Sequence, residues 1–303
     1  MNRRILVIYH RVDYDGILSC LTVKKYYEEK GIPSTLMGWN YGDDPIDVGK
    51  IIKNDYQNIV MTDISLPPEQ MLKLKESGRL TWIDHHQTSI SDSELHGYSD
   101  LPGIRKNGTA ACELTWGYFY TKRETPMLIQ YAGSYDVWNK TRFDWEANVV
   151  PLQYGLRETY GMNVKAVEKD WDLLCQNCDW ILDTGIAIYS YIKRSSESWV
   201  KYNGFPVTVD GKYKGIALIT PLTSSIAFSS VLDKYDLFLI VQIIDSGTKY
   251  SVSMYTEPDK DLGGFSCGEY LKENYGGGGH ACAAGTRNLT REQFEKLIFD
   301  HEF

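Results

Sequence analysis

A chain of 303 residues is long enough for two compact units at roughly 150 residues each, and 43% hydrophobic with 24% charged residues is ordinary globular composition. A disordered tail, a collagen-like rod and a coiled coil are thereby excluded. Forty Asp and Glu against 32 Lys and Arg leave a formal net charge of -8, so no overall positive field exists to recruit long nucleic acid, and capture of a polyanion would have to be local.

The first expected element is a strand over residues 5–9, where apolar side chains follow a basic start and run directly into His10. A secretory signal would need a longer apolar run and a small-residue cleavage site, so the segment reads as buried sheet. A helix over 17–30, a strand over 34–37, a loop over 39–45 and a short helix near Lys50 follow. Then come a strand over 58–61, a helix over 67–77 and a strand over 80–83. Short β-rich runs separated by helical stretches predict βαβ units and a parallel sheet. Residues 109–135 and 163–203 carry mainly helical patterning, and the polar stretch with Arg194, Ser195, Ser196 and Glu197 is the expected connector.

Beyond Gly204 the pattern changes. Strands over 206–209 and 214–220 flank Asp210-Gly211, a hairpin-turn pair. A helix over 224–232, strands over 237–244 and 250–255, and a helix near 268–273 complete a smaller unit. Its last helix starts at Thr290, with Gln293 completing a capping box. The expected fold class is therefore α/β: a parallel-sheet domain over 1–193, a connector over 194–203 and a smaller α/β domain over 204–303. The most apolar interior stretch, 237–244, is far short of the roughly 18 residues of a membrane span, so a soluble, cytoplasmic protein with no membrane partner is expected. Cys20, Cys112, Cys175, Cys178, Cys267 and Cys282 are expected to be reduced thiols. The Cys175-x-x-Cys178 pair lacks the second pair of a zinc ribbon and reads as two small apolar residues on one helix face.

Three strands of the first domain run into residues that can hold metal: His10, Asp13 and Asp15 after the first, Asp63 after the strand over 58–61, and Asp84, His85 and His86 after the strand over 80–83. Ligands of open parallel sheets bind outside the carboxyl ends of the strands, so these residues converge if the strands are neighbours. Singly, some have plainer readings. Asp13 and Asp15 before Gly16 suit a turn and helix start, and Asp63 suits a cap ahead of Pro67. Asp84-His85-His86 is harder to explain that way, because charged and imidazole groups after an apolar strand incur desolvation unless paired or coordinated. Carboxylates with imidazoles and no thiolate suit Mn²⁺, Mg²⁺ or Co²⁺, and this many ligands exceeds the needs of one ion.

The triplet Asp84-His85-His86 resembles the signature of the DHH phosphoesterase family. His10-Arg11-Val12-Asp13-Tyr14-Asp15-Gly16 is similar to its first motif, Asp63 in Val60-Met61-Thr62-Asp63 to its second, and Asp136 in Tyr131-Ala132-Gly133-Ser134-Tyr135-Asp136 to a further metal-site acid. Gly276-Gly277-Gly278-Gly279-His280, followed by Ala283-Ala284-Gly285, resembles the DHHA1 domain of the branch that includes nanoRNases and pAp phosphatases. A glycine run lets backbone N–H groups approach a phosphate closely; a flexible surface loop is the plainer alternative.

This resemblance implies an active site in the cleft between a DHH domain and a DHHA1 domain. His10 and Asp13 would hold one metal, Asp15, His85 and Asp136 the other, with Asp63 bridging. The catalytic pair would be His86, facing the scissile phosphate, and Asp84, orienting a histidine. Gly277, Gly278, Gly279 and His280 would grip a substrate phosphate. Arg105, Lys106 and Arg287 are candidates for local positive charge, with solvated surface cations the plainer reading. Tyr255, where relatives often carry arginine, would stack on a base or be an ordinary strand residue. Thr109 would contact substrate or cap the next helix, the cap being preferred, and His96 and His301 receive no role.

The implied activity is metal-dependent phosphoester hydrolysis, with two divalent ions, Mn²⁺ favoured over Mg²⁺ or Co²⁺. The implied substrates are short oligonucleotides or dinucleotides, extending to 3'-phosphoadenosine phosphate, rather than long duplexes. Three alternatives are a RecJ-like single-strand exonuclease, disfavoured by chain length and acidity, a pyrophosphatase or polyphosphatase, and a nucleotide sensor without turnover. A homodimer is left open.

Overall fold

Ile5, Leu6, Val7 and Ile8 are all fully buried, as a strand covered on both faces requires. They form β1 (Arg4–His10), followed by α1 (Tyr14–Glu28), β2 (Ser34–Trp39), α2 (Val48–Lys53), β3 (Tyr56–Thr62), α3 (Pro68–Glu76), β4 (Leu80–Ile83) and α4 (Gln87–His96). The computed structural model describes residues 4–221 and 225–299. The chain divides into two compact units, Met1–Tyr189 and Ser190–Phe303.

In the first unit the strands are parallel in the order β2-β1-β3-β4. Side chains alternate across the sheet. Ile5, Val7 and Val60 enter one core with α1, whereas Leu6, Ile8, Ile59 and Met61 enter another with α2 and α3. The sheet is thus held from both sides, and its carboxyl-terminal edge is the place where side chains can face a ligand. α1 begins three residues earlier than its apolar pattern suggests, because Asp13 caps it by accepting the N–H of Gly16 at 2.9 Å. α4 is unforeseen: its sequence QTSISDSELH has no apolar periodicity, and only Ser89 and Ser93 are buried.

The helical region contains α5 (Ala111–Phe119), α6 (Met127–Asp136), a π-helical turn (Trp145–Val149), α7 (Val150–Tyr160), α8 (Val164–Lys169), α9 (Trp171–Gln176) and α10 (Asp179–Asn203). Cys175 lies in α9 and Cys178 in the link to α10, so the pair does not share a helix face as expected. The break at Asn177, which has extended backbone, separates them. All six cysteines are free.

The second unit comprises the carboxyl-terminal part of α10, including residues 194–203, and then β5 (Gly204–Val209), β6 (Tyr213–Ile219), β7 (Leu237–Ile244), β8 (Lys249–Tyr255), α11 (Cys267–Tyr275), β9 (Gly278–Gly279), β10 (Ala283–Leu289) and α12 (Arg291–Ile298). Its sheet runs β5-β6-β7-β8-β10-β9, with β6 and β7 parallel and the other pairs antiparallel. Asp210 and Gly211 both have positive φ, 54° and 59°, as the β5–β6 hairpin turn requires. Leu237, Leu239 and Val241 pack toward α11 and α12, while Phe238 and Ile240 pack with Val200 of α10.

Of the helix expected over 224–232, Ser224 lies outside the described residues, as does His301, and the rest is a 3-10 turn at Ser225–Phe228. It stops because the Ser229 N–H and hydroxyl both close onto the Ile226 carbonyl. The Thr290 and Gln293 capping box is present. Among the described residues, no helix is long and apolar enough to cross a membrane.

Gly16 is where β1 and α1 come closest: a Cβ there would lie 2.0 Å from the His10 carbonyl oxygen. Gly16→Ala should therefore lower stability in urea titration by about 1–3 kcal/mol, the cost of overpacking. Gly117→Ala, in α5 with open space around its Cβ, should show no such loss.

Candidate metal centre

Because β1, β3 and β4 are neighbours, their carboxyl ends bring His10, Asp63 and Asp84 to adjacent positions. The turn from β1 into α1 adds Asp13 and Asp15, and the last residue of α6 adds Asp136. Three groups of side chains offer ligand atoms within 4.8 Å of one another: His10, Asp13 and Asp63; Asp15, His85 and Asp136; and Asp63, His85 and His86. The His10 Nδ1 is 2.6 Å from Asp13 Oδ2 and 3.4 Å from Asp63 Oδ2. The His85 Nε2 lies 3.3 Å from Asp63 Oδ1, 3.3 Å from Asp136 Oδ2 and 3.5 Å from Asp15 Oδ2. All six side chains expected at metal positions are brought together, with Asp63 in two of the three groups.

The carboxylates are held in different ways. Asp15 accepts the N–H groups of Ala111 at 2.8 Å and Cys112 at 2.7 Å, so it satisfies the amino end of α5 from 96 residues away. This overturns the expected cap: α5 begins after Ala110 with no side-chain cap of its own, and Thr109 does not supply one. Asp84 Oδ1 accepts from the His85 N–H at 2.7 Å, the His86 N–H at 3.2 Å and the His86 ring Nδ1 at 2.7 Å. Asp63 does not cap the following helix, whose first turn has no side-chain cap. It sits at a left-handed φ of 60° while its N–H continues the sheet by donating to the Ile83 carbonyl at 2.9 Å.

Both oxygens of Asp63, which is 1% exposed, lack a hydrogen-bond partner, as do Asp84 Oδ2 and Asp136 Oδ2. A buried carboxylate without a donor is costly, and a cation is the partner this donor set fits. Burial, then the charges of Asp15 and Asp13, push the carboxyl groups of Asp63 and Asp136 well above the usual range. Burial also pulls His85 below the usual imidazole value. It opposes protonation of His10 and His86 as well, but the hydrogen bonds and charges of Asp13 and Asp84 outweigh it and raise both.

Asn40 is a further member of the site that no motif marks: its Oδ1 accepts from His10 Nε2 at 3.0 Å. That bond fixes the ring so that Nδ1 faces Asp13 and Asp63, the usual arrangement around a metal-binding histidine. Asn40 is itself fixed by Asp43, which accepts the Asn40 N–H at 2.9 Å and pairs through two hydrogen bonds with Arg11. A lone Asn in a loop 30 residues downstream has no spacing to reveal it.

The other expected contacts fare differently. The Arg105 guanidinium donates to the carbonyls of Trp82, Ser99 and Leu101 and so staples the 99–105 loop to β4. The glycine run is ordered sheet and helix cap rather than an open nest. The Gly277 N–H is taken by Leu271 and the His280 N–H by Ala283, and Gly278–Gly279 pair with β10. Gly277 is required there because a Cβ would lie 2.4 Å from the Gly285 carbonyl oxygen. The His280 side chain is exposed, and Tyr255 is half-buried at the end of β8, paired with Phe238 and Ala283.

Removing Asp63's charge should stabilise the chelated protein while abolishing its response to metal. A carboxylate with a raised folded pKa contributes stability that is present at low pH and lost as pH rises through that pKa. Asp63 and Asp136, with His10 and His86 in the same sense and His85 opposing, should make chelated wild type melt higher as pH falls from 8 toward 5. Asp63→Asn should flatten that rise, melt higher than wild type at pH 8 in chelator, and lose the Mn²⁺-induced increase, all readable by calorimetry.

No family model matches the sequence, and no curated protein matches it. Solved structures do. The chain is similar to a pGpG-specific phosphodiesterase, PggH, from Vibrio cholerae, with a TM-score of 0.53 and 14% identity over 98% of this chain and 96% of that one. A DHH domain described as a member of the s1p family of ribosomal proteins matches with a TM-score of 0.64 and 15% identity over 98% of this chain and 85% of that one. An exopolyphosphatase-related protein from Bacteroides fragilis matches with a TM-score of 0.53 and 16% identity over 97% and 90%. With the parallel sheet, the second sheet and the Asp84-His85-His86 triplet at the strand ends, the chain has the fold of the DHH-domain proteins.

Proposed function

We propose that this protein is a metal-dependent phosphoesterase that holds two divalent ions and hydrolyses short oligonucleotides or dinucleotides. The observation that carries the reading is Asp63: a buried carboxylate with no hydrogen-bond donor, shared between ligand groups. His10, Asp13 and Asp63 would hold one ion, and Asp15, His85 and Asp136, with Asp63, the other. Their all-oxygen and imidazole donors favour Mn²⁺, Mg²⁺ or Co²⁺. Bound ions of this kind lower the pKa of water to give hydroxide and neutralise charge on the phosphoryl oxygens.

The chain's own groups do the rest. Asp84 accepts from His86 Nδ1, fixing the ring and favouring its protonated form. In this reading the opposite nitrogen, Nε2, donates to a non-bridging oxygen of the scissile phosphate. Residues 1–193 are the metal-holding DHH domain, 204–303 the DHHA1 domain, and 194–203 join them. In this reading His280 binds a substrate phosphate, and Tyr255 adds an aromatic contact. Short nucleotides accord with the net charge of -8 and with the pGpG specificity of one structurally similar protein. Six free cysteines accord with a reducing, cytoplasmic setting.

The test is a panel of labelled dinucleotide, longer oligomers, adenosine bisphosphate and pyrophosphate, offered to chelated and Mn²⁺-reconstituted protein. Mononucleotide should appear from the dinucleotide only with metal, and Asp63→Asn should reduce kcat by more than about 100-fold, the upper range for groups that merely support a metal. His86→Ala should cost about 10²–10³ in kcat, as loss of a preorganised donor does. His280→Ala should raise KM about 10-fold, the loss of one hydrogen bond to a charged group, with kcat little changed. Saturable nucleotide binding without any product in Mn²⁺ would leave a sensor instead.

A further inference from the structure

We propose that Tyr135, Trp138 and Trp145 form a stacking platform for the nucleobase next to the scissile phosphate, an inference that rests on the phosphoesterase reading above. The three rings surround a metal-position residue in the chain: Tyr135 precedes Asp136, and Trp138 follows it by two. Asp136 Oδ2 is 3.3 Å from His85 Nε2, so the aromatic patch is anchored one and two residues from the cluster that would hold the phosphate.

Core packing does not account for these rings. Tyr131 and Val137, from the same stretch, pack against the main core of the unit, whereas Tyr135, Trp138 and Trp145 are half-buried and pack on one another. Tyr135 and Trp145 are nearly parallel, 5° apart with centroids at 5.8 Å. Trp138 stands edge-on to both, at 5.6 Å and 4.8 Å. Large flat rings that keep part of their surface open suit a flat ligand, and any base offers a π-face. Lys140 places its ammonium 5.5 Å from the Trp138 centroid, a cation–π contact at the edge of the patch.

The backbone carries a cost to put Trp138 there. Among the described residues of the first unit, the non-glycine residues with positive φ are Asp63, at 60°, and Trp138, at 55°. At Trp138 this conformation closes the end of α6, where the Trp138 N–H bonds to the Tyr135 carbonyl and the Asn139 N–H to the Ser134 carbonyl; this helix stop usually takes glycine, so a tryptophan there carries a conformational cost. The other residue, Asp63, belongs to the metal centre itself. Trp145, in turn, opens the π-helical turn ahead of α7, an irregularity that concentrates at sites of function.

The discriminating experiment compares a dinucleotide with the same compound carrying abasic residues, in Mn²⁺, for wild type, Trp138→Ala and Trp138→Phe. Because both substrates are assayed on one preparation, partial unfolding cancels in the ratio. Trp138→Ala should reduce the preference for the base-bearing substrate about 5- to 150-fold, the range for losing one base–aromatic stack, and Trp138→Phe should retain most of it. An unchanged ratio in Trp138→Ala, or equal loss of preference in both variants, would overturn the platform. If wild type cleaves neither substrate, the phosphoesterase reading fails separately. The platform is then decided by calorimetric titration with adenosine 5'-monophosphate and ribose 5-phosphate: wild type should prefer the nucleotide, and Trp138→Ala should lose that preference. Equal binding of the two ligands by wild type would sink the idea.

Discussion

The constraint to which the first unit is fitted is the mutual repulsion of carboxylates gathered at one edge of a buried sheet. Two like charges 4 Å apart repel by about 4 kcal/mol at an effective dielectric near 20, so Asp13, Asp15, Asp63, Asp84 and Asp136 cannot share this space uncompensated. The protein offsets three of them with its own donors. Asp13 has the Gly16 N–H and the His10 ring, Asp15 has the amino end of α5, and Asp84 has two backbone N–H groups and the His86 ring. Asp63 has no donor, and Asp136 Oδ2 has none either. The remaining demand for positive charge is thereby focused on the carboxylate at the centre of the ligand groups and on the one that arrives from α6.

The same division bears on the surrounding architecture. Donors offset a buried charge best when they are held in place, and these are backbone N–H groups near helix starts and two imidazole rings, of which His10 is fixed from its other side by Asn40. Burial of β1 and β3 on both faces locks the strand ends, and the His10 carbonyl against Gly16 fixes where α1 begins. Arg105 has a corresponding task. By joining the 99–105 loop to β4, it holds the strand that delivers Asp84.

What could be read in the sequence was what is local. The strand ends, the D-G hairpin, the capping box at Thr290 and every metal-position side chain lie within short segments whose spacing carries the information. What escaped depends on contacts that spacing does not encode. Asp15 caps a helix nearly a hundred residues away, Asn40 reaches His10 across a loop, and α4 is a helix without an apolar stripe. The strand within the glycine run escaped for a related reason. Glycine has low strand propensity, so nothing in the run signals a strand, although Gly278 and Gly279 pair with β10. Thr109 and Arg105 were read from their residue types, and in both cases a more distant group decides the role.

Backbone strain falls on different residue types in the two units. In the second unit, positive φ falls on Asp210, Asp245, Ser246 and Asn288, short polar residues of the kinds that turns tolerate well. In the first it falls on Asp63 and Trp138. Trp138 takes it where α6 ends, leaving its ring half-open, and Asp63 takes it while its N–H continues the sheet. Each such residue costs on the order of 1–3 kcal/mol, which the surrounding core must supply. A cation beside Asp63 and a base over Trp138 are the two partners that would recover that cost, and they are the two halves of one nucleotide complex: the metal-bound phosphate and the ring attached to it.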